Sequence, residues 1–497
     1  MTLIMPAPEP SILARREELV GRLRAILPPA GLIVDEIARR AFECDAFTMY
    51  RALPMVVVLP ETVAQVAAIM ALAAEMNVKI VPRGAGTSLS GGAMPLEDGI
   101  LLGMSKFDRI LDIDYENRCA RVQPGVRNLA ISQAVESRGF YYAPDPSSQI
   151  ACSIGGNVAE NAGGVHCLKY GLTTNNILGL EVVLMGGEIV RLGGRHLDSE
   201  AYDLLGLMTG SEGLLGVVTE VTVRILQKPL VARCLLLGFP SVAAGARCVG
   251  RVIASGVIPG GMEMMDRKTI HAVERFQPCG YPLDAGSLVI VELDGVEAEV
   301  DQLVGVVEKI ARGEGATTIR ASTSEAERLR FWAGRKNAFP AVNCIKPDYL
   351  CMDGTIPRAR LPEVLAGMDV LAEKHGLSVA NVFHAGDGNL HPLILYDSSK
   401  PGDTERAEQL GFDILRLCVS VGGVLTGEHG VGVEKRDLMG EMFSETDLDQ
   451  QQRVKCAFDP EGRLNPGKVF PTLHRCAEFG MMHVSAGAVP FPDLPRF

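Results

Sequence analysis

The sequence predicts an α+β protein in which an α/β, nucleotide-binding half precedes an antiparallel α+β half. Three observations carry this. Glycine is in excess, 54 of 497 residues, about 11% against a usual ~7% and without any collagen-like period. The glycine clusters fall in three blocks between residues 82 and 216, each mixed with Ser, Thr, Asn or Glu. From Pro229 the texture changes to alternating strand and helix patterns, with no internal repeat and no low-complexity linker.

Taken in order, residues 1–49 carry helical patterns (Ser11 to Leu27, then Val34 to Phe42) and few turn signals. Thr62-Val-Ala-Gln65 is a capping box, because the Thr hydroxyl and the Gln amide can each satisfy a free N–H of the first helical turn. It opens an Ala-rich helix to Glu75, closed by Asn77 and followed by a short strand at Val78 to Val81. Further short strands are expected at Ile100 to Met104, Ile110 to Asp114, Arg121 to Val122, Ile177 to Val190 and Leu215 to Leu226. Beyond Pro229 come strands at Leu235 to Phe239 and Leu288 to Leu293, with helices at Val242 to Ile253 and Glu297 to Ala311.

Composition excludes several classes. Acidic residues (60) exceed basic ones (48), for a formal net charge of -12, whereas a nucleic-acid surface needs a basic stripe. Apolar residues at 47% and charged ones at 22% are ordinary globular usage, so a large core is expected. The 12 cysteines are scattered with no C-x-x-C pair and read as reduced, mostly buried thiols in a cytoplasmic protein. The N-terminus lacks the basic-then-apolar order of a signal peptide. No run approaches the ~18 apolar residues of a membrane span, so membrane contact is expected to be peripheral at most.

The chemistry begins at Pro82-Arg-Gly-Ala-Gly-Thr-Ser-Leu-Ser-Gly-Gly92. A glycine-rich loop after a strand exposes backbone N–H groups to a pyrophosphate, since absent side chains permit close approach. No Gly-Lys-Ser/Thr follows, which excludes a Walker A loop, and Leu89 stands where a Rossmann loop needs its third glycine. One such loop is equally a plain connection. The further blocks Ala151 to Gly171 and Thr209 to Gly216 point to an extended dinucleotide.

A second constellation is Val382-Phe-His384-Ala-Gly-Asp-Gly-Asn-Leu-His391-Pro, followed by Thr426-Gly-Glu428-His429-Gly-Val-Gly432. Asp387-Gly388 signals a turn, so the two histidines are expected near each other across a hairpin, about 5 Å apart at Cβ. Two close imidazoles with a nearby carboxylate have the composition of a metal site that keeps a position open for substrate. On their residue types alone, ordinary strand histidines and a metal centre both remain open.

These residues resemble a known family. Pro82 to Ser88, Pro144-Asp-Pro146, Ser153-Ile-Gly-Gly-Asn157 with Glu160-Asn-Ala-Gly-Gly164, and Gly210-Ser-Glu-Gly213 resemble the FAD-binding domain of vanillyl-alcohol-oxidase type flavoproteins. The resemblance implies phosphate contacts from Arg83, Gly84, Ala85, Gly86, Thr87, Ser88 and Gly91, with Pro82 also among the cofactor-binding residues. It places Pro144, Ser153, Gly156, Asn157, Gly163 and Gly171 along the flavin and ribityl. Gly210, Glu212, Gly213 and Gly216 would lie near the adenine side, and Val218 is a further cofactor-binding residue. No family-type histidine precedes Arg83 and His166-Cys167 is offset, so non-covalent FAD is expected.

The His-Ala-Gly-Asp-Gly-Asn-x-His and Gly-Glu-His-Gly motifs are similar to the C-terminal domain of FAD-linked D-2-hydroxy-acid dehydrogenases. There the residues matching His384, His391 and Glu428 bind a divalent metal, usually zinc, and the one matching His429 is the catalytic base. Arg335, in Phe331-Trp-Ala-Gly-Arg-Lys-Asn, matches the arginine that clamps the substrate carboxylate. Phe458 to Lys468 matches a closing motif that returns the chain to the flavin through Asn465. The implied organisation is a helical segment (1–49), an FAD-binding domain (50–228), a substrate or cap domain (229–425) and a closing segment with tail (426–497).

Two departures bear on substrate length. Cys351 stands where relatives acting on longer acids carry a Lys, and Leu393 where they carry an Asn, which suits a small 2-hydroxy acid. Phe331 to Pro357 and the tail Leu473 to His483 most resemble the FAD-linked subunits of bacterial glycolate-oxidising complexes. The expected activity is therefore oxidation of glycolate to glyoxylate, with D-lactate as a second substrate, by hydride transfer to FAD. The resemblance implies partners too: a second FAD-domain subunit and an iron–sulfur subunit at the cytoplasmic face of the inner membrane, with the tail beyond Pro471 as a contact. The rival readings are a stand-alone D-lactate or D-2-hydroxyglutarate dehydrogenase and a non-catalytic FAD-domain scaffold.

Overall fold

The computed structural model describes residues 5–196 and 201–471. The tail proposed as a partner contact lies outside the described residues. Four sheets are present among the described residues, and the α+β expectation is borne out.

The first sheet places strand Gly99–Gly103 between Val56–Val58 and Lys79–Arg83, all parallel. Parallel strands need covered faces and read as continuous apolar runs, as Val56–Val58 and Gly99–Gly103 do by being buried throughout. The helix Val63–Met76 connects Val56–Val58 to Lys79–Arg83. Its expected capping box forms between Thr62 and Gln65, and Asn77 closes it in the left-handed conformation. The N-terminal segment joins this unit: strand Leu32–Ile33 pairs with Val56–Val58, and Leu19 and Leu23 of helix Arg16–Ile26 are buried in the same core.

The second sheet is antiparallel, ordered Ile110–Asp114, Cys119–Val122, Val217–Arg224, Ile177–Val183, Ile189–Gly193. The span Ile177 to Val190, expected as one strand, is two: Gly187 takes a positive φ of 92° and turns the chain back at Val183–Ile189. Strand Val217–Arg224 alternates buried and half-buried residues, the period of a sheet with one packed face.

The third large element is a seven-stranded antiparallel sheet, ordered Thr318–Ala321, Val231–Phe239, Ser287–Gly295, Gly261–Asp266, Ser378–Phe383, Pro392–Tyr396, Asp348–Cys351. Helices Val242–Ala254, Glu297–Gly313 and Leu361–His375 bury their apolar faces in one core with this sheet. Helix Glu325–Lys336 packs on the other side, where Phe331 and Trp332 join the buried cluster.

The two halves are joined by charge. His166 bonds Asp145 through Nδ1 (2.8 Å) and Glu292 through Nε2 (3.0 Å), so both ring nitrogens are engaged. Lys169 and Tyr170 bond Asp294 beside it. Among the described residues ten cysteines are free, eight of them buried; Cys456 is disulfide-bonded, where a reduced thiol was expected.

Candidate functional site

The glycine blocks converge on one cavity of about 400 Å³. Its walls include Pro82 to Ser88, Ser153, Gly156, Asn157, Glu212, Gly213, Gly216 and Val218, and its far end is formed by Phe339, His391, Glu428 and His429. Thus most of the expected dinucleotide residues and part of the expected metal and base cluster face one space. Gly91, Pro144, Gly163, Gly171, Gly210 and Asn465 are not on the wall. They shape it from behind: a Cβ on Gly91 would lie 2.4 Å from Val433, and one on Gly163 would lie 2.7 Å from the Glu428 carboxylate. The Pro144 carbonyl accepts from Asn128, and Gly210 N–H donates to Val158. Gly171 ends the short helix Cys167–Tyr170 with a positive φ of 82°. Asn465 bridges the walls, donating from Nδ2 to the carbonyls of Gly92 (3.0 Å) and Glu212 (2.7 Å).

The cavity fits a dinucleotide because its floor is backbone. A Cβ on Gly84 would stand 2.3 Å from Ser153 Oγ, the atom that accepts from Ala85 N–H at 3.2 Å. Gly84→Ala is therefore expected to overpack this floor, at about 1–3 kcal/mol, with each 1.4 kcal/mol a tenfold weakening of FAD. Fluorescence titration of the apoprotein with FAD reads the change.

At the far end, His384 follows strand Ser378–Phe383 and His391 precedes strand Pro392–Tyr396, so the paired strands hold the two rings together. The ring centroids are 5.0 Å apart. Glu428 Oε1 lies 3.2 Å from His384 Nε2 and 2.9 Å from His391 Nε2. The three donor atoms fall within 4.8 Å of one another. Two neutral-capable nitrogens and one carboxylate oxygen, converging and buried, suit a divalent cation. The sequence reading missed the carboxylate behind them. Glu263, wholly buried on strand Gly261–Asp266, accepts from His384 Nδ1 at 2.7 Å and from Arg335 Nε at 2.6 Å. Burial alone would raise Glu263, but His384 and Arg335 hold it below the usual carboxylate range. Glu428 is likewise held well below, by His384 and His391 against its burial.

Arg335 lies one layer behind the cavity wall. The residue is 1% exposed, and while its Nε bonds Glu263 its Nη2 has no hydrogen-bond partner.

His429 is placed by a second carboxylate that sequence patterning did not reveal. Asp353, fully buried, accepts from His429 N–H (2.9 Å), Gly427 N–H (3.1 Å), Thr426 Oγ1 (2.5 Å) and Asn389 Nδ2 (2.9 Å). Burial opposes its charge, yet His429, Lys435 and His391 hold it at about 2. The segment is pinned from the other side as well. Glu212 accepts from Val431 and Gly432 N–H, both at 2.7 Å, and Ser90 Oγ donates to the His429 carbonyl at 2.9 Å. The imidazole is stacked on His391, centroids 5.0 Å apart and planes 9° from parallel. Burial, aided by His391 and opposed by Asp353, pushes His429 down to about 4, so it is neutral at pH 7. Its Nδ1 is sealed and lacks a hydrogen-bond partner, and the residue lines the cavity. Glu160, also on the wall, is pushed well above the carboxylate range by burial and by Glu212; nothing in its motif marked it out.

Comparison with known proteins gives matches over both halves of the chain. Residues 54–193 match the family described as "FAD binding domain", and residues 228–469 the one described as "FAD linked oxidases, C-terminal domain". The chain is 57% identical over 97% of its length to the glycolate oxidase subunit GlcD of Escherichia coli K12, covering 97% of that protein. It is 34% identical to a D-lactate dehydrogenase of Archaeoglobus fulgidus, over 84% of this chain and 92% of that one. Among solved structures, p-cresol methylhydroxylase superposes with a TM-score of 0.79 at 18% identity, over 94% of this chain and 98% of that chain.

Proposed function

Given that the chain belongs to the FAD-linked oxidases, we propose that it oxidises a small 2-hydroxy acid, glycolate first and D-lactate second, at the junction of the dinucleotide slot and the histidine cluster. The observation that carries this is the shared cavity, where His391, Glu428 and His429 face the same space as the glycine loops.

FAD, when bound, supplies the acceptor for the α-hydride and the electron pair it carries. A divalent cation, zinc in our reading, would be held by His384, His391 and Glu428 and would supply a Lewis acid for the α-hydroxyl. His429 takes the hydroxyl proton at Nε2; being neutral, it is ready to accept. The imidazolium so formed is stabilised by Asp353, whose Oδ2 lies 4.0 Å from Nδ1. Arg335, with Nη2 free, is the cation for the substrate carboxylate; reaching it calls for the substrate or the arginine to pass the Glu263 layer. Phe339 on the wall helps exclude water.

Glu263 ties the ligand His384 to Arg335, and such outer carboxylates fix ring orientation and ligand basicity. Glu263→Gln can accept from only one of the two donors, so metal affinity is expected to fall roughly 10–100-fold, measured by competition with a chromogenic chelator.

The short-acid reading rests on Cys351 and Leu393: paired across adjacent strands and buried in the core rather than on the cavity wall, they offer no cation for a distal carboxylate. Steady-state turnover with an artificial acceptor dye should rank glycolate above D-lactate and both far above D-2-hydroxyglutarate; the reverse order removes the short-acid reading.

Electrons must leave the flavin. Among the described residues no cluster of cysteines gathers as an iron–sulfur centre would require. Relatives at 57% and 38% identity are named as subunits, which supports partner subunits here. We assign the acceptor role to an iron–sulfur subunit beside a second FAD-domain subunit, or to a quinone. No described helix is long and apolar enough to cross a membrane, which is compatible with a cytoplasmic protein that meets the membrane through its partners.

A further inference from the structure

We propose that Cys351, His391 and His429 form a second, overlapping site that captures thiophilic cations such as cadmium or excess zinc and thereby switches the enzyme off. The donor atoms of these three side chains lie within 4.8 Å of one another. Cys351 closes strand Asp348–Cys351 and His391 precedes strand Pro392–Tyr396, which pairs with it. That pairing brings a thiol behind the two stacked imidazoles.

Two independent features point to a ligand there. The Nδ1 atoms of His391 and His429 are both buried and both lack a hydrogen-bond partner. A buried, unpaired ring nitrogen is costly, and His391 is only 2% exposed. The other nitrogen of His391 is already turned to Glu428, so the second site draws on the opposite edge of the same ring. The Cys351 thiol donates a weak hydrogen bond to the Met352 carbonyl at 3.4 Å, which a metal bond can replace.

The donor set sets the class of ion. One sulfur and two imidazole nitrogens select soft or borderline cations and disfavour magnesium and calcium. On capture the thiol gives up its proton to solvent, and His391, whose other nitrogen serves the first site, gives up its remaining ring N–H proton and bridges as an imidazolate; the thiolate, this imidazolate and the neutral His429 each donate a lone pair, and nothing is oxidised. An open fourth position would hold water. The consequence rests on the base role given to His429 above: a ring turned to a second cation is displaced from the hydroxyl proton it must take. The capture itself does not depend on that role.

The test uses FAD-loaded protein whose first metal site has been filled with zinc. Cadmium is titrated in while the near-ultraviolet thiolate-to-cadmium charge-transfer band and the turnover rate are followed, for wild type, Cys351→Ser and Cys351→Ala. Bound flavin and denaturation midpoint establish that each variant is folded, and each is compared with its own uninhibited rate. The proposal expects one equivalent of the band in wild type, its loss in both variants, and cadmium inhibition weakened by at least an order of magnitude. Equal inhibition of all three proteins with no thiolate band would overturn it, since cadmium would then act only at His384, His391 and Glu428. If no 2-hydroxy acid turns over, the functional reading fails while the band still decides the site.

Discussion

His429→Ala is expected to cut turnover roughly 100- to 10,000-fold, the usual worth of a positioned general base, while FAD stays bound. The division follows from the geometry. His429 is held by its backbone, through Asp353 and Ser90, and those bonds survive loss of the ring. The glycine loops that line the slot do not depend on the imidazole. Absorbance of the bound flavin and the rate of its reduction by glycolate read the two effects separately. A variant that reduces flavin at the wild-type rate removes His429 from the mechanism.

The second large effect concerns stability. Lys455, in helix Glu445–Phe458 and 4% exposed, donates Nζ to the carbonyls of Leu214 (2.7 Å) and Leu464 (2.9 Å) and to Asp459 (2.5 Å). Asp459 in turn accepts from the Leu464 N–H at 2.7 Å. This knot holds the returning chain, which adds to the first sheet beside Lys79–Arg83: Ile80 donates to Arg463 at 2.9 Å and accepts from Asn465 at 2.7 Å. Lys455→Met would strand a buried carboxylate, at roughly 3–5 kcal/mol. Denaturant unfolding should show that loss, with weaker FAD retention because Asn465 then no longer bridges Gly92 and Glu212. Adding Asp459→Asn should recover part of it, since a neutral replacement of both partners removes the uncompensated charge. An unchanged midpoint in the single variant contradicts this account.

What could be read from the sequence follows from locality. The capping box at Thr62 and Gln65, the glycine loop at Pro82 to Gly92 and the hairpin that joins His384 to His391 are short-range signals, each set by residues within about ten positions of one another. Glu263 and Asp353 are different. Each is an acid inside an ordinary strand or turn, and its importance arises only when strand pairing brings His384, Arg335 or His429 alongside. Their partners are between 36 and 121 residues away in sequence, so no local pattern carries them. Arg335 shows the same limit in reverse: its motif marked it for the substrate, while its depth and its bond to Glu263 became visible only in the fold. The strand break at Gly187 was missed because the apolar run continues on both sides of the turn.

The central claim is that one cavity joins the flavin to the histidine cluster for oxidation of a short hydroxy acid. Anaerobic mixing of the FAD-loaded, metal-loaded protein with glycolate, followed at the visible band of oxidised flavin, tests it most directly. The account predicts rapid bleaching by glycolate, slower bleaching by D-lactate, and a large loss of rate when the metal is stripped. A flavin that glycolate and D-lactate both leave yellow, with metal present, would contradict it.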